Sequence, residues 1–371
     1  MGSSFRLGRV LGVEISIHAS WLIIAFFVTY SLAVFQLPEI VDSWSAPEYW
    51  IVAAVIAALF FASVVAHELS HALVARRFGL SVERITLFML GGAAELKEEP
   101  KRARDEAFIA AAGPLSSLLI GGLMALVDLF VPILYVSVAA GWLAIINVAL
   151  GLFNLLPGFP MDGGRILRAI VWRAGGDRNG ATRTAATVGR FFGYAFIALG
   201  VYIVFQRGLG GIWLALIGWF LTTAADGALA QLRVERALSG VRVRDIMDPD
   251  PASVSPNDLV GELVSDRLLK GEDRSFLVRH TDGGLAGIVT LSDVRRLPRE
   301  QWEHARVTDI MTRRANLATV APEEEAGRAL EIMQERQVGQ LPVVVDEHRP
   351  VGLLTRDGLL RAIDTRRRLG F

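Results

Sequence analysis

The chain has 371 residues, 52% of them hydrophobic, no cysteine, and 38 basic against 38 acidic side chains. These values exclude a disordered chain, a disulfide scaffold, cysteine zinc sites and thiol catalysis. Zero net charge offers no basic field, so no nucleic-acid partner is expected.

The charge is spread unevenly. Residues 1–240 hold 34 charged side chains, about 14%, and residues 241–371 hold 42, about 32%. An apolar N-terminal two-thirds is joined to a soluble C-terminal third. A bilayer-crossing helix needs about 20 mostly apolar residues. In chain order the candidate spans are 19–37, 50–75, 108–127, 133–155, 188–205 and 211–223, the last being short. Loop charge orients them. Loops 76–107 and 156–187 carry seven and five Lys or Arg, whereas loop 36–49 and the short third loop carry none. Basic loops alternating with bare ones place both termini in the cytoplasm, and an even number of spans agrees.

The second span contains His67-Glu68-Leu69-Ser70-His71. The i, i+4 spacing puts both imidazoles on one helix face, one turn apart, within reach of a single metal ion. Glu68 stands beside them, placed to take a proton from water. A proton relay or a polar helix–helix contact is the alternative. Catalytic zinc takes three protein ligands. The other strong candidate is Asp162, in Asn154-Leu155-Leu156-Pro157-Gly158-Phe159-Pro160-Met161-Asp162-Gly163-Gly164 at the end of the fourth span. Pro157, Gly158 and Pro160 unwind the backbone there. Gly163 and Gly164 leave room for close approach of metal or substrate. His67 precedes the basic loop at Arg76 by nine residues, and Asp162 follows a span descending to the same side. Both halves of the site therefore reach one edge of the membrane.

The two motifs in this order resemble the site-2 protease family of intramembrane zinc metalloproteases, over roughly residues 5–225. The resemblance implies one Zn2+ per chain held by His67, His71 and Asp162, with Glu68 as general base. It implies that Asn154 helps bind substrate or stabilise the oxyanion, with Pro157 beside it in the substrate site. Residues 85–96, with Gly91 and Gly92, resemble the family's membrane-associated β segment, which implies a strand edge that pairs with an unwound substrate. Ala112-Gly113-Pro114 resembles a third-span motif that usually carries Asn three residues past the Pro, where this chain has Ser117. The implied substrates are transmembrane segments of membrane-tethered signalling proteins.

The soluble third contains a repeat. Val243-Arg244-Asp245-Ile246-Met247 recurs as Val307-Thr308-Asp309-Ile310-Met311. Each copy continues with an acid-rich helical stretch (258–269, 323–336) and a β-rich run (275–279, 340–345). Each closes on Gly-apolar-apolar-Thr, ending at Thr290 and Thr355. This resembles a tandem pair of CBS domains. The resemblance implies adenine-nucleotide binding through Thr290 with Asp293 and through Thr355 with Asp357. The second acid falls one residue early, which weakens the second site. A purely dimerising or lid-like module, pairing two chains as a homodimer, is the alternative.

The expected whole is a polytopic α-helical membrane protein of about six transmembrane helices with a short membrane-associated β segment, plus a soluble α/β CBS-pair domain. Its parts are a metalloprotease domain at 1–225, a linker at 226–240 and CBS domains at 241–371 (about 241–300 and 305–368). Its partners are a transmembrane protein substrate and the lipid bilayer. Two other readings compete. A CBS-gated channel or transporter would spread its charges along a pore across the bilayer. A member that binds clients without cutting them would not need all of His67, Glu68, His71 and Asp162.

Overall fold

The computed structural model describes residues 4–88, 91–96, 99–208, 210–271, 274–346 and 349–369. The chain divides into two compact units, Met1–Ala230 and Gln231–Phe371.

The first unit contains strands β1 (Ser4–Val10), β2 (Val13–His18), β3 (Val82–Phe88) and β4 (Gly91–Leu96). Its helices are α1 (Ser20–Ile40), α2 (Ala46–Arg77), α3 (Ala103–Phe130), α4 (Leu134–Asn154), α5 (Asp162–Gly175), α6 (Arg178–Arg207) and most of α7 (Gly211–Leu238), whose residues from Gln231 on belong to the second unit. All but α5 are long and apolar enough to cross a membrane, and the protein is a multi-pass membrane protein. The first five expected spans coincide with these helices to within a residue or extend inside them. The sixth does not stop at 223 but runs 28 residues, so the stretch expected as a linker is helical up to Leu238. Its tail is rich in Ala, Leu, Gln, Arg and Glu, strong helix formers that prolong a helix past its apolar part.

Apolar side chains on these helices face outward. Leu22, Ile23, Phe26 and Phe27 of α1 are each more than half exposed, as a lipid-solvated surface requires. Helices meet through small residues that let backbones approach. A Cβ on Gly121 of α3 would fall 2.8 Å from Val148 of α4, and one on Gly200 of α6 would fall 2.5 Å from the Ala215 backbone of α7.

The sheet order is β1-β2-β3-β4, with β2 and β3 parallel and the outer pairs antiparallel. The strands β1 and β2 are additions to the expected β segment. Arg76, at the end of α2, donates to the carbonyls of Leu11, Gly12 and Val82 at 2.7, 2.9 and 3.2 Å. It thereby ties the β1–β2 turn and the start of β3 to α2. Val13, Val82 and Ile85 of the sheet pack with Ala72, Ala75 and Ile109. β4 pairs with β3 alone among the described residues, so it forms a sheet edge. Met89 and Leu90, inside the expected β segment, lie outside the described residues.

The second unit shows the repeat as matched hairpins. Ser275–Arg279 pairs antiparallel with Leu285–Thr290, and Gln340–Val344 with Pro350–Thr355. Ser275 faces Thr290 as Gln340 faces Thr355, so the register is the same in both copies. Each hairpin packs on its own apolar cluster, one around Phe276, Val289 and Val307 and the other around Leu341, Leu354 and Val243.

Candidate metal centre

Helix α2 carries His67 and His71 one turn apart, both buried within the unit. Asp162 arrives from a different direction. α4 ends at Asn154, the backbone is non-helical through Met161, and α5 begins at Asp162. The break matches the expected unwinding, but α5 itself replaces what reads as loop in the sequence. Starting a helix at Asp162 sets its carboxylate at the positive end of the helix dipole. Gly163 and Gly164 are needed for a reason the sequence did not suggest. A Cβ on Gly163 would fall 2.3 Å from the Leu155 carbonyl oxygen, and one on Gly164 2.3 Å from the Gly158 carbonyl carbon. The room they leave is taken by the preceding loop folding back onto α5.

Three donor atoms converge. Asp162 Oδ2 lies 3.3 Å from His67 Nε2 and 3.1 Å from His71 Nε2, and the two Nε2 atoms are 3.2 Å apart. This is the cluster of metal-ligating side chains found among the described residues. A tetrahedral centre with bonds of about 2.0–2.1 Å separates its ligand atoms by about 3.3 Å, so the spacing suits zinc.

The far side of each ring is held. His71 Nδ1 lies 2.6 Å from the Ile109 carbonyl, which can only accept, so Nδ1 carries the proton and Nε2 keeps its lone pair. His67 Nδ1 lies 2.9 Å from Ser117 Oγ, itself fully buried. Lone pairs pointing at one spot beside a carboxylate repel unless a cation sits among them, and this donor set fits zinc. Arg165 Nη1 stands 4.0 Å from Asp162 Oδ1.

Helix α3 closes the site. A Cβ on Gly113 would lie 2.2 Å from His71 Nε2 and 2.6 Å from His67 Nε2, so only glycine fits there. Gly113, Ser117 and the Ile109 carbonyl were not assigned to the site from sequence. The Ala112-Gly113-Pro114 motif was the signal for the first two. A backbone carbonyl leaves no signature in a sequence.

Glu68 is not one of the converging donors. Its side chain lies against β4, where a Cβ on Gly92 would fall 2.5 Å from Glu68 Cγ. Gly91 opens β4 opposite Phe88. Asn154, half-buried at the end of α4, donates from Nδ2 to the Leu150 carbonyl at 3.0 Å and makes no hydrogen bond to the three donors among the described residues. Pro157 is exposed in the loop that follows.

The second unit has a cleft of about 920 Å³ lined by Thr355, Asp357, Asp248, Arg274, Arg356 and Arg361 among others. The sequence favoured the first copy, yet Thr290 and Asp293 do not line this cleft. Thr290 N and Oγ1 donate to Asp293 Oδ2 at 2.9 and 2.7 Å, closing a helix cap. In the second copy Gly358 occupies the matching place and its N–H goes to Thr355 Oγ1 at 3.0 Å. Asp357 is thereby left out of the cap and lines the cleft.

Comparison with known proteins identifies the family. The model of peptidase family M50 matches residues 55–137 and 133–199, and the CBS domain model matches 243–300 and 307–365. "Putative zinc metalloprotease Rip3" of Mycobacterium tuberculosis is 38% identical over 99% of this chain and 94% of its own length. A relative in Synechocystis, also named as a zinc metalloprotease of that standing, is 32% identical over 98% and 97%. The solved site-2 protease from Methanocaldococcus jannaschii matches 61% of this chain and 95% of its own, at 32% identity and a TM-score of 0.43. The chain belongs to peptidase family M50, the site-2 protease family of zinc metalloproteases, and carries a tandem pair of CBS domains.

Proposed function

We propose that the protein is an intramembrane endopeptidase that cuts transmembrane segments of membrane-tethered signalling proteins, with one zinc held by His67, His71 and Asp162. The observation that carries this reading is the convergence of those three donors with both Nδ1 atoms tied away from the centre. Zinc bound there supplies a Lewis acid that acidifies water and polarises a carbonyl. Glu68 takes a proton from the attacking water and returns it to the leaving amine. Its place against β4 supports this, because β4 is where a substrate strand would lie. A substrate helix loses its own hydrogen bonds on unwinding, and the open edge of β4, at Gly91 and Gly92, offers replacements. Asn154 donates to the oxyanion once its Nδ2 leaves the Leu150 carbonyl. Pro157 lies in the adjoining loop and contacts the substrate.

Both termini face the cytoplasm in this reading. The CBS pair regulates cleavage and binds an adenine nucleotide in the cleft lined by Thr355 and Asp357, whose arginines suit phosphate. The deciding experiment uses the full chain in proteoliposomes with a model transmembrane substrate, wild type beside Glu68→Gln. The variant is expected to keep its zinc and lose cleavage. Retained cleavage by Glu68→Gln would sink the mechanism, and ion flux without cleavage would favour the channel reading.

A further inference from the structure

Glu106 of α3 is an acidic side chain in an apolar helix bundle, yet it is completely buried. Its Oε1 accepts from Arg168 of α5, with Nε at 2.6 Å and a second bond from Nη2. Its Oε2 has no hydrogen-bond partner among the described residues, so the carboxylate depends on Arg168. A buried charge of this kind is tolerated only while its partner stays in place.

Arg168 is six residues beyond Asp162 on the same helix. Its guanidinium also lies over the Phe159 ring, 5.2 Å from the centroid. Phe159 belongs to the loop that delivers the chain to Asp162, and it packs against Ala185 and Ala186 of α6. Arg168 therefore grips the segments on both sides of Asp162. Through Glu106 it anchors them to α3.

The same face of α3 holds the other two donors. Glu106, Ile109, Gly113 and Ser117 follow one another at helical spacing, three or four residues apart. Ile109 holds His71, Ser117 holds His67, and Gly113 makes room for both. One helix face thus references all three donor side chains, although two arrive on α2 and one on α5.

We propose that Glu106 and Arg168 form a positioning pair that sets the Asp162 carboxylate against the two imidazoles, without touching zinc or substrate. This rests on the zinc reading above. The test uses the full chain purified in detergent, with zinc affinity read by competition against a chromophoric chelator and coordination read from the visible spectrum of the Co2+-loaded protein. The variants are Glu106→Gln, Arg168→Lys, the double variant, and Asp162→Ala. Each single change in the pair is expected to weaken zinc binding about tenfold and to alter the Co2+ bands, as partners of metal ligands do. The double variant should lose no more than either single one.

If both singles match wild type in affinity and spectrum while Asp162→Ala loses zinc, the pair has no positioning role and the zinc reading stands. If Asp162→Ala binds zinc as wild type does, the zinc reading itself fails. Should Glu106→Gln aggregate, Arg168→Lys decides alone. It keeps the charge but lacks the planar two-nitrogen grip, so unchanged affinity and spectrum in that variant overturn the proposal.

Discussion

In the membrane unit His67, His71, Glu106, Ser117 and Asn147 are buried among apolar helices, whereas among the described residues of the second unit Ser275 is the one buried polar side chain. Each of the five membrane residues has a partner inside the protein: one another, Asp162, Arg168, or a backbone carbonyl. Hydrocarbon offers no hydrogen bonds, so polar groups there must find partners within the protein. His67, His71, Ser117 and Glu106 do so by gathering at or beside the candidate metal centre, whereas Asn147 bonds to the Leu143 carbonyl of its own helix. Water imposes no such gathering on the second unit. Its charged groups stay on the surface or in an open cleft, and a ligand there would bring its own partners.

Several changes separate the two units, beginning with the largest expected effect. Gly113→Ala puts a methyl group where His71 Nε2 and His67 Nε2 now lie, and helix backbone cannot retreat. The purified variant should hold no stoichiometric zinc by elemental analysis and cleave nothing. Leu354→Ala acts on the other unit. Leu354 is fully buried in the second hairpin's cluster, and its loss should destabilise that unit by about 2–5 kcal/mol, seen as a lowered unfolding midpoint. Zinc content should not change. A variant that lost zinc as well would break the independence of the two units.

Ser117→Ala is milder, removing the partner of His67 Nδ1 while leaving the ring. Zinc affinity should fall about tenfold in chelator competition, with the helices intact by circular dichroism. The smallest effect is expected from Arg361→Gln in the cleft. Calorimetry with ATP or AMP on the full chain should show weaker binding by several-fold, while zinc content and basal cleavage stay as in wild type. Unchanged nucleotide binding would move the ligand site elsewhere or remove it.

What could be read from residue order follows the range of each interaction. His67 and His71 are four apart on one helix, so their common face is a property of helical geometry alone. Asp162 lies 91 residues beyond His71 and was reached through its Pro-Gly surroundings and the family resemblance. Ser117 was noticed only as a departure from a motif, because a serine in a membrane helix has no distinctive pattern. The Glu106–Arg168 pair was invisible, since its members are 62 residues apart and each resembles an ordinary loop-end charge. β1 and β2 were missed because the pairing of β2 with β3 joins segments about 70 residues apart. α5 was missed because its arginines read as orienting loop charge. Its strong amphipathic pattern, with Ala169 buried and Ile170 exposed, was the unused signal.

By itself the sequence determined the membrane spans, the paired imidazoles, the break before Asp162 and the repeat of the second unit. Each of these is settled by hydrophobic length, helical period or local backbone freedom. Only the tertiary structure decided that α3 holds both imidazoles and pairs with α5 through Glu106 and Arg168, that Glu68 faces β4, and that Thr355 and Asp357 rather than Thr290 and Asp293 line the cleft. Those outcomes depend on which helix faces meet and which hydrogen bonds are already taken, and neither is a property of any one segment.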